Sequence, residues 1–348
     1  MKFLSPVCSI SKGLVFTALI GFLAIFLAEG LKASTQIGSS AFAIVLGMCF
    51  APLFFKHEKI LKPGVHFGAK KILRLGIILY GFNVSVNELL SVGIWGFALA
   101  SIVIVCVFGA ALFLGVKFFR LDKESAMLVG AGSAICGAAA VLALESCLKS
   151  EPMKGILAVG SVVIFGLILM FLYPLLFSFD LLRDLDENAL GIFMGATLHE
   201  VANVVGASSM VSGFSQSGAN LALIIKMMRV ILLVPFLLLV PLLLADKQPG
   251  KKLTIPYFAF AFLACIFLHS FVAQKEEFCG LESARLIAFL RELCLYCLVI
   301  AMTALGLQLN LKQFMQGGVR VLGLALSLAL ILVFGGYFLT LAFGGILH

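Results

Sequence analysis

Charge is what this chain lacks. Asp, Glu, Lys and Arg make up 12% of its 348 residues, about half the usual share for a soluble domain. Acids are scarcer than bases, with 17 Asp and Glu against 25 Lys and Arg. All five aspartates (Asp122, Asp180, Asp184, Asp186 and Asp246) fall between apolar runs rather than inside them. Alternation of apolar and polar residues is missing too, which excludes a transmembrane β-barrel. No stretch between the apolar runs is long enough for a soluble domain, and no basic segment interleaves with one. The net charge of +8 therefore does not point to nucleic acid. A chain this poor in charge cannot cover a water-facing surface, so its solvent is lipid.

What is present is apolar sequence, 62% of the residues. Runs near the roughly 20 residues needed to cross a bilayer lie at 13–29, 37–55, 65–87, 92–116, 125–147, 155–178, 189–211, 219–244, 255–273, 286–308 and 319–346. The expected fold is an all-α polytopic membrane protein with about eleven transmembrane helices. Breakers and charges such as "KHEKILKP" (56–63) and "DKQPGKK" (246–252) mark the joints. The first run follows Lys2 and Lys12 but lacks a clean small-residue cleavage site, because Glu29 and Lys32 stand there. An uncleaved helix is the better reading than a signal peptide.

Lys and Arg in the joints and at the span ends (Lys70 and Arg320 among them) divide 15 to 5 between the N-terminal side and the opposite side. The positive-inside rule then puts the N-terminus in the cytoplasm and the C-terminus outside. Nine cysteines lie mostly within spans. Cys294 and Cys297 form a C-x-x-C on an apolar helix with no second pair, which favours packing over zinc. No cofactor or metal is implied.

Transporters of this size often carry inverted repeats. "KILRLGIILYG" from Lys71 and "KMMRVILLVPF" from Lys226 share Lys-x-x-Arg before an aliphatic run, 155 positions apart. The same shift brings span two onto span seven, and spans four, five and six to within about ten residues of spans nine, ten and eleven. Five spans is an odd shift, so the halves 37–180 and 188–346 are expected to be inverted five-helix copies, with residues 1–36 an added helix.

Ionisable residues inside a bilayer are costly and mark function by default. Lys226 and Arg229 share one helix face deep in their span. Lys71 and Arg74 occupy the equivalent positions nearer a helix end, where snorkelling to the headgroups competes with a site role. Against these and Arg291 the clear intramembrane acids are Glu200 and Glu292. The interior is net positive, and a buried positive excess calls for an anion. "GAGSAICGAAAVLA" (130–143) carries Gly132, Ser133, Cys136 and Gly137. It reads either as a helix broken in mid-membrane, with free N–H groups for an anion, or as a small-residue packing face. Its repeat partner, "AMTALGLQLN" (301–310), contributes Thr303. "GATLHEVANVVGA" (195–207) carries His199, Glu200 and Asn203, either a proton relay or a structural polar cluster. A zinc protease is excluded, because H-E-x-x-H needs histidine where Asn203 stands.

Together "KILRLGIILYG", "GSAICGAAAV", "LHEVANVVGA", "KMMRVILLVP" and "AMTALGLQLNLK" resemble the YeiH-type sulfate exporter family, within the superfamily of cation/proton antiporters and bile acid symporters. The resemblance implies two inverted five-helix repeats, broken helices crossing at the midplane (here spans five and ten), and a homodimer. The aspartates that the superfamily's cation exchangers carry at the crossing are missing from "GAGSAICGAAAV". The leading expectation is therefore a secondary active exporter of a small anion such as sulfate or a sulfonate. Ser133, Cys136, Gly132, Gly137, Lys226, Arg229, Lys71, Arg74, Asn203 and Thr303 would bind the anion, and His199 or Glu200 would couple protons, with sodium the other candidate coupling ion. The alternatives are a monovalent cation/proton antiporter using Glu200, and an anion channel or a non-transporting binding protein. An intramembrane enzyme is disfavoured, for no nucleophile set or aspartate pair lies in the spans.

Overall fold

The computed structural model describes residues 4–30, 39–83, 86–211, 213–244, 257–275, 277–278, 281–308 and 318–344. Its chain divides into two compact units. One holds residues 1–86 with 257–315, and the other 87–256 with 316–348. These units cut across the halves expected from the Lys-x-x-Arg match.

The first unit contains α1 (Leu4–Gly30), α2 (Ser39–Lys56), α3 (Glu58–Phe67), α4 (Leu73–Tyr80), α13 (Tyr257–Val272) and α14 (Ser283–Gln308). A single wide turn at Gly68–Ile72 joins α3 to α4. A two-residue antiparallel ladder, Glu277–Phe278 with Leu281–Glu282, precedes α14. Glycines let its helices touch backbone to backbone. A Cβ on Gly47 would meet Gly306 Cα at 3.0 Å, so α2 and α14 cross without side chains between them. Helix α14 is unbroken from Ser283 to Gln308. The break expected in span ten is not found there, and residues 309 and 310 lie outside the described residues. Thr303 relieves no break either: its Oγ1 donates to Val299 O at 2.9 Å, one turn back in the same helix.

The second unit holds α5 (Val86–Phe113), α6 (Lys123–Ala134), α7 (Ala138–Leu148), α8 (Pro152–Ser178), α9 (Glu187–Thr197), α10 (Val201–Met210), α11 (Gln216–Ile231), α12 (Leu233–Leu244) and α15 (Val319–Gly344). Its decisive feature is that span five does not cross. A Cβ on Gly132 of α6 would lie 2.7 Å from Val141 Cγ2 of α7, whereas nine residues of straight helix would separate them by about 13 Å. At the other end, Lys154 at the start of α8 bonds Asp122 Oδ2 at 2.8 Å and Glu124 Oε2 at 3.2 Å, both at the start of α6. Helices α6 and α7 therefore form a re-entrant hairpin whose two ends lie together, with α8 rising beside α6.

The segment 187–210 repeats this design. Ser208 Oγ of α10 reaches Met194 Sδ of α9 at 3.7 Å, and Ser215 N, just before α11, donates to Glu187 Oε1 at the start of α9. Starts of equivalent helices are 64 residues apart (123 and 187, 152 and 216), and the turns at 135–137 and 198–200 are 63 apart. The second unit thus displays a local repeat of hairpin plus following helix, α6–α7–α8 and α9–α10–α11/α12. The two copies enter from opposite ends of α8. Local sequence favours each start. Asp122 caps α6 by accepting from Ser125 N at 3.1 Å, Asp186 caps α9 by accepting from Ala189 N at 2.7 Å, and Ser215 Oγ caps α11 at Gly218 N. Pro152 begins α8 at a position where its missing donor costs nothing. Pro235 cannot bond back to Ile231, and the chain steps from α11 to α12 at Leu232.

Helix α15 lies along both copies. Gly323 packs on Phe119 near the base of the first hairpin, while Gly336 packs on Thr197 and Tyr337 Oη donates to Asp184 Oδ2 at 3.0 Å, near the second.

Candidate functional site

The first hairpin turns at Ile135–Gly137. Gly137 has φ +73° and ψ −135°, a conformation open in practice only to glycine. A Cβ there would also strike the Glu200 side chain, whose Cγ is 2.5 Å away. The second hairpin turns at Leu198–Glu200 through extended backbone. The two turns face each other in the interior of the unit.

A hairpin of two short helices ends α6 and α9 in the interior. Each such end leaves carbonyls without intrahelical partners and the negative pole of a helix dipole. Lys226 and Arg229 of α11 answer both. Lys226 Nζ donates to Ile135 O at 2.8 Å and to Leu198 O. Arg229 Nε bonds Ala134 O at 3.0 Å, and Nη2 bonds Ser133 O at 2.8 Å. Its Nη1 bonds Ala196 O at 2.7 Å and Leu198 O at 3.1 Å. Both side chains are 0% exposed. One helix face thus ties the C-terminal ends of α6 and α9 together, and this is what holds two cations so deep. Tyr173 of α8 braces the second tip, its Oη donating to Thr197 Oγ1 at 2.9 Å.

The helix ends of opposite polarity, the N-termini of α7 and α10, open at the same junction. Glu200 Oε1 accepts from Ala138 N at 3.4 Å, the first N–H of α7. Glu200 and Cys136 are half-buried. His199 is completely buried, and neither ring nitrogen has a partner among the described residues. Ser133 Oγ is likewise buried and unpartnered. His199 and Asn203 pack over Gly166 of α8, where a Cβ would come 2.7 Å from Asn203 Nδ2.

At the base of the first hairpin, partial burial alone would raise the Asp122 carboxyl. Hydrogen bonds from Lys154, from the Ser125 hydroxyl and from Ser125 N outweigh it and hold the carboxyl below its ordinary value.

Of the residues singled out from sequence, Gly132, Ser133, Cys136, Gly137, His199, Glu200, Asn203, Lys226 and Arg229 come together around the two tips. Lys71, Arg74 and Thr303 belong to the other unit. Lys71 is exposed, Arg74 lies over the Phe258 ring at 5.8 Å, and Thr303 is buried where α1 and α2 pack on α14. Sequence reasoning missed the carbonyls of Ser133, Ala134, Ile135, Ala196 and Leu198, because every residue carries a carbonyl and only the fold frees these. Tyr173 was missed for a similar reason: it sits 24 positions from Thr197, and no spacing rule connects them.

Comparison with known proteins gives the family. The family described as Conserved hypothetical protein 698 matches residues 12–325. The chain belongs to this family. A UPF0324 membrane protein of Campylobacter jejuni is 58% identical over 347 residues, covering 97% of this chain and 95% of that protein. One from Helicobacter hepaticus is 40% identical over 344 residues, 93% and 95% of the two chains. A third, from Bacteroides thetaiotaomicron, is 38% identical over 339 residues, 94% and 97%. These UPF0324 proteins are the YeiH-type family of the sequence resemblance. No solved structure matches the chain. It is a polytopic membrane protein, and six of its helices, among the described residues, are long and apolar enough to cross a bilayer.

Proposed function

We propose that the protein is a secondary active transporter that exports a small anion, sulfate- or sulfonate-like, through the junction of the two hairpin tips. The observation that supports this reading best is the pair of buried cations, Lys226 and Arg229, set where two helix N-termini open. Non-helical backbone at membrane depth is tolerated only inside protein or along a cavity, and broken helices at the midplane are how transporters face their cargo. Against the two cations stands one carboxylate, Glu200. The field of the junction therefore favours an anion.

The roles are shared differently from a simple cation clamp. Lys226 and Arg229 bind carbonyls and supply charge at a distance. Direct contacts fall to the first N–H groups of α7 and α10, with Ser133, Cys136 and Asn203 beside them. His199 or Glu200 is the proton-coupling group of this reading. The transporter works as a homodimer in a bacterial inner membrane.

The hairpins also sharpen the orientation. With spans five and seven returning to their own side, Lys149 and Lys154 join the N-terminal side and Arg183 leaves it. The 15 to 5 division of Lys and Arg becomes 16 to 4. A cytoplasmic N-terminus with an external C-terminus fits the positive-inside rule better in this arrangement.

The test is flux of radiolabelled sulfate and methanesulfonate into and out of proteoliposomes. Saturable, pH-gradient-driven flux is expected in the wild type, with loss in Cys136→Phe, which fills the junction. Proton movement driven by Na⁺ or K⁺, lost in Glu200→Gln and unaccompanied by anion flux, would replace this reading with cation/proton exchange. A single-channel conductance would replace it with a channel.

A further inference from the structure

The Glu200 carboxylate sits where an incoming anion would be expected. Its Oε1 accepts from Ala138 N, and its Cγ and Cδ lie against the position where a Gly137 Cβ would be. Helix α7 has 11 residues, long enough for its N-terminal N–H groups to attract negative charge. A carboxylate of the protein's own already answers that attraction from the facing tip. Two completely buried polar side chains of the same two tips, His199 with both ring nitrogens and Ser133 with its hydroxyl, have no partner among the described residues. A junction with one donor set taken by an internal carboxylate and two buried polar groups left unmatched is built for an occupant.

We infer that Glu200 is a tethered competitor for the transported anion, which enters the N-terminus of α7 only as Glu200 takes up a proton and withdraws. This rests on the anion-transport reading and adds its coupling. In the resting state the junction carries Lys226⁺, Arg229⁺ and Glu200⁻. When a proton neutralises Glu200 and a singly charged anion takes over its hydrogen bond from Ala138 N, the sum of charges is unchanged. A swap that conserves charge avoids the cost of adding a bare charge to a low-dielectric interior. The cargo class follows: a monoanion presenting a carboxylate-like or sulfonate-like group, preferred over a dianion such as sulfate. The proton moves from water to Glu200 on binding and leaves with the anion on release, so one proton and one anion travel together. The pair moves outward when the anion's outward gradient exceeds the inward proton gradient. The charged and titratable groups around Glu200 are Cys136 of the first tip and Lys226 of α11, with Arg229 one turn further along and His199 preceding it in its own tip.

The experiment is calorimetric titration of the purified full-length protein with methanesulfonate, acetate and sulfate, in buffers of different ionisation enthalpy and across a pH series. The wild type is expected to take up about one proton per methanesulfonate bound, with affinity falling up to about tenfold per pH unit once Glu200 is ionised. Glu200→Gln should bind with no proton uptake and a flat pH profile, while His199→Gln should keep the uptake. Methanesulfonate binding to the wild type without proton uptake overturns the inference and leaves the anion reading standing. Loss of uptake in His199→Gln, or its retention in Glu200→Gln, also overturns it, by moving the proton elsewhere. Absence of binding by all three anions, in wild type and both variants at every pH, overturns the anion reading together with it.

Discussion

Arg229 makes four hydrogen bonds to carbonyl oxygens of Ser133, Ala134, Ala196 and Leu198, all within a water-poor interior. Removing the guanidinium strands those acceptors, and each orphaned buried group costs about 1–3 kcal/mol. Arg229→Ala is therefore expected to lose most of the folded protein on size-exclusion chromatography. Arg229→Lys keeps the charge but has three donors where five were present, and should fold with a lowered melting temperature. A fold unaffected by Arg229→Ala would show that the tips are held by something else. Lys226 differs in one respect. Two of its three ammonium donors are assigned to Ile135 O and Leu198 O, so it joins the two tips with half as many bonds. Both cations bond carbonyls, because two helix ends in the interior offer many more acceptors than one side chain.

At the scale of elements, the hairpin α6–α7 turns what reads as one span into two half-length helices. Each half is too short to cross the hydrocarbon core alone, which takes about 20 residues. What gives it away is not hydropathy but the ion pairs at its base, where Lys154 meets Asp122 and Glu124. The pair Asp122→Cys/Lys154→Cys, in a background without the native cysteines, should cross-link through a short bismaleimide. If span five crossed the bilayer, those positions would lie about 30 Å apart and no cross-link would form. The second hairpin follows the same rules with different residues. Its turn holds His199 and Glu200 where the first holds Cys136 and Gly137, so two copies of one backbone plan give a junction with unlike sides. Only the second copy's following helix carries the two cations. That asymmetry is what makes one junction rather than two half-sites.

For the whole molecule, two non-crossing hairpins alter which loops face which side without changing the side of the C-terminus. A cysteine at position 151 (Glu151→Cys) should be labelled by an impermeant maleimide from the face of the N-terminus, and one at position 183 (Arg183→Cys) from the other. Eleven simple crossings predict the reverse for both. The chain's composition by itself determined that lipid is the solvent and helices the fold, because 62% apolar residues without alternation admit nothing else. It also singled out the residues of the junction, since buried charge and mid-membrane glycine are costly enough to stand out in any apolar run. The Lys-x-x-Arg match, by contrast, joined residues of different environments: Lys71 is exposed while Lys226 is completely buried. Only the tertiary structure decided that spans five and seven fold back, that their tips meet, and that the cations bind backbone. Hydropathy counts apolar residues and is blind to chain direction, and a carbonyl becomes a ligand only when the fold takes away its helical partner.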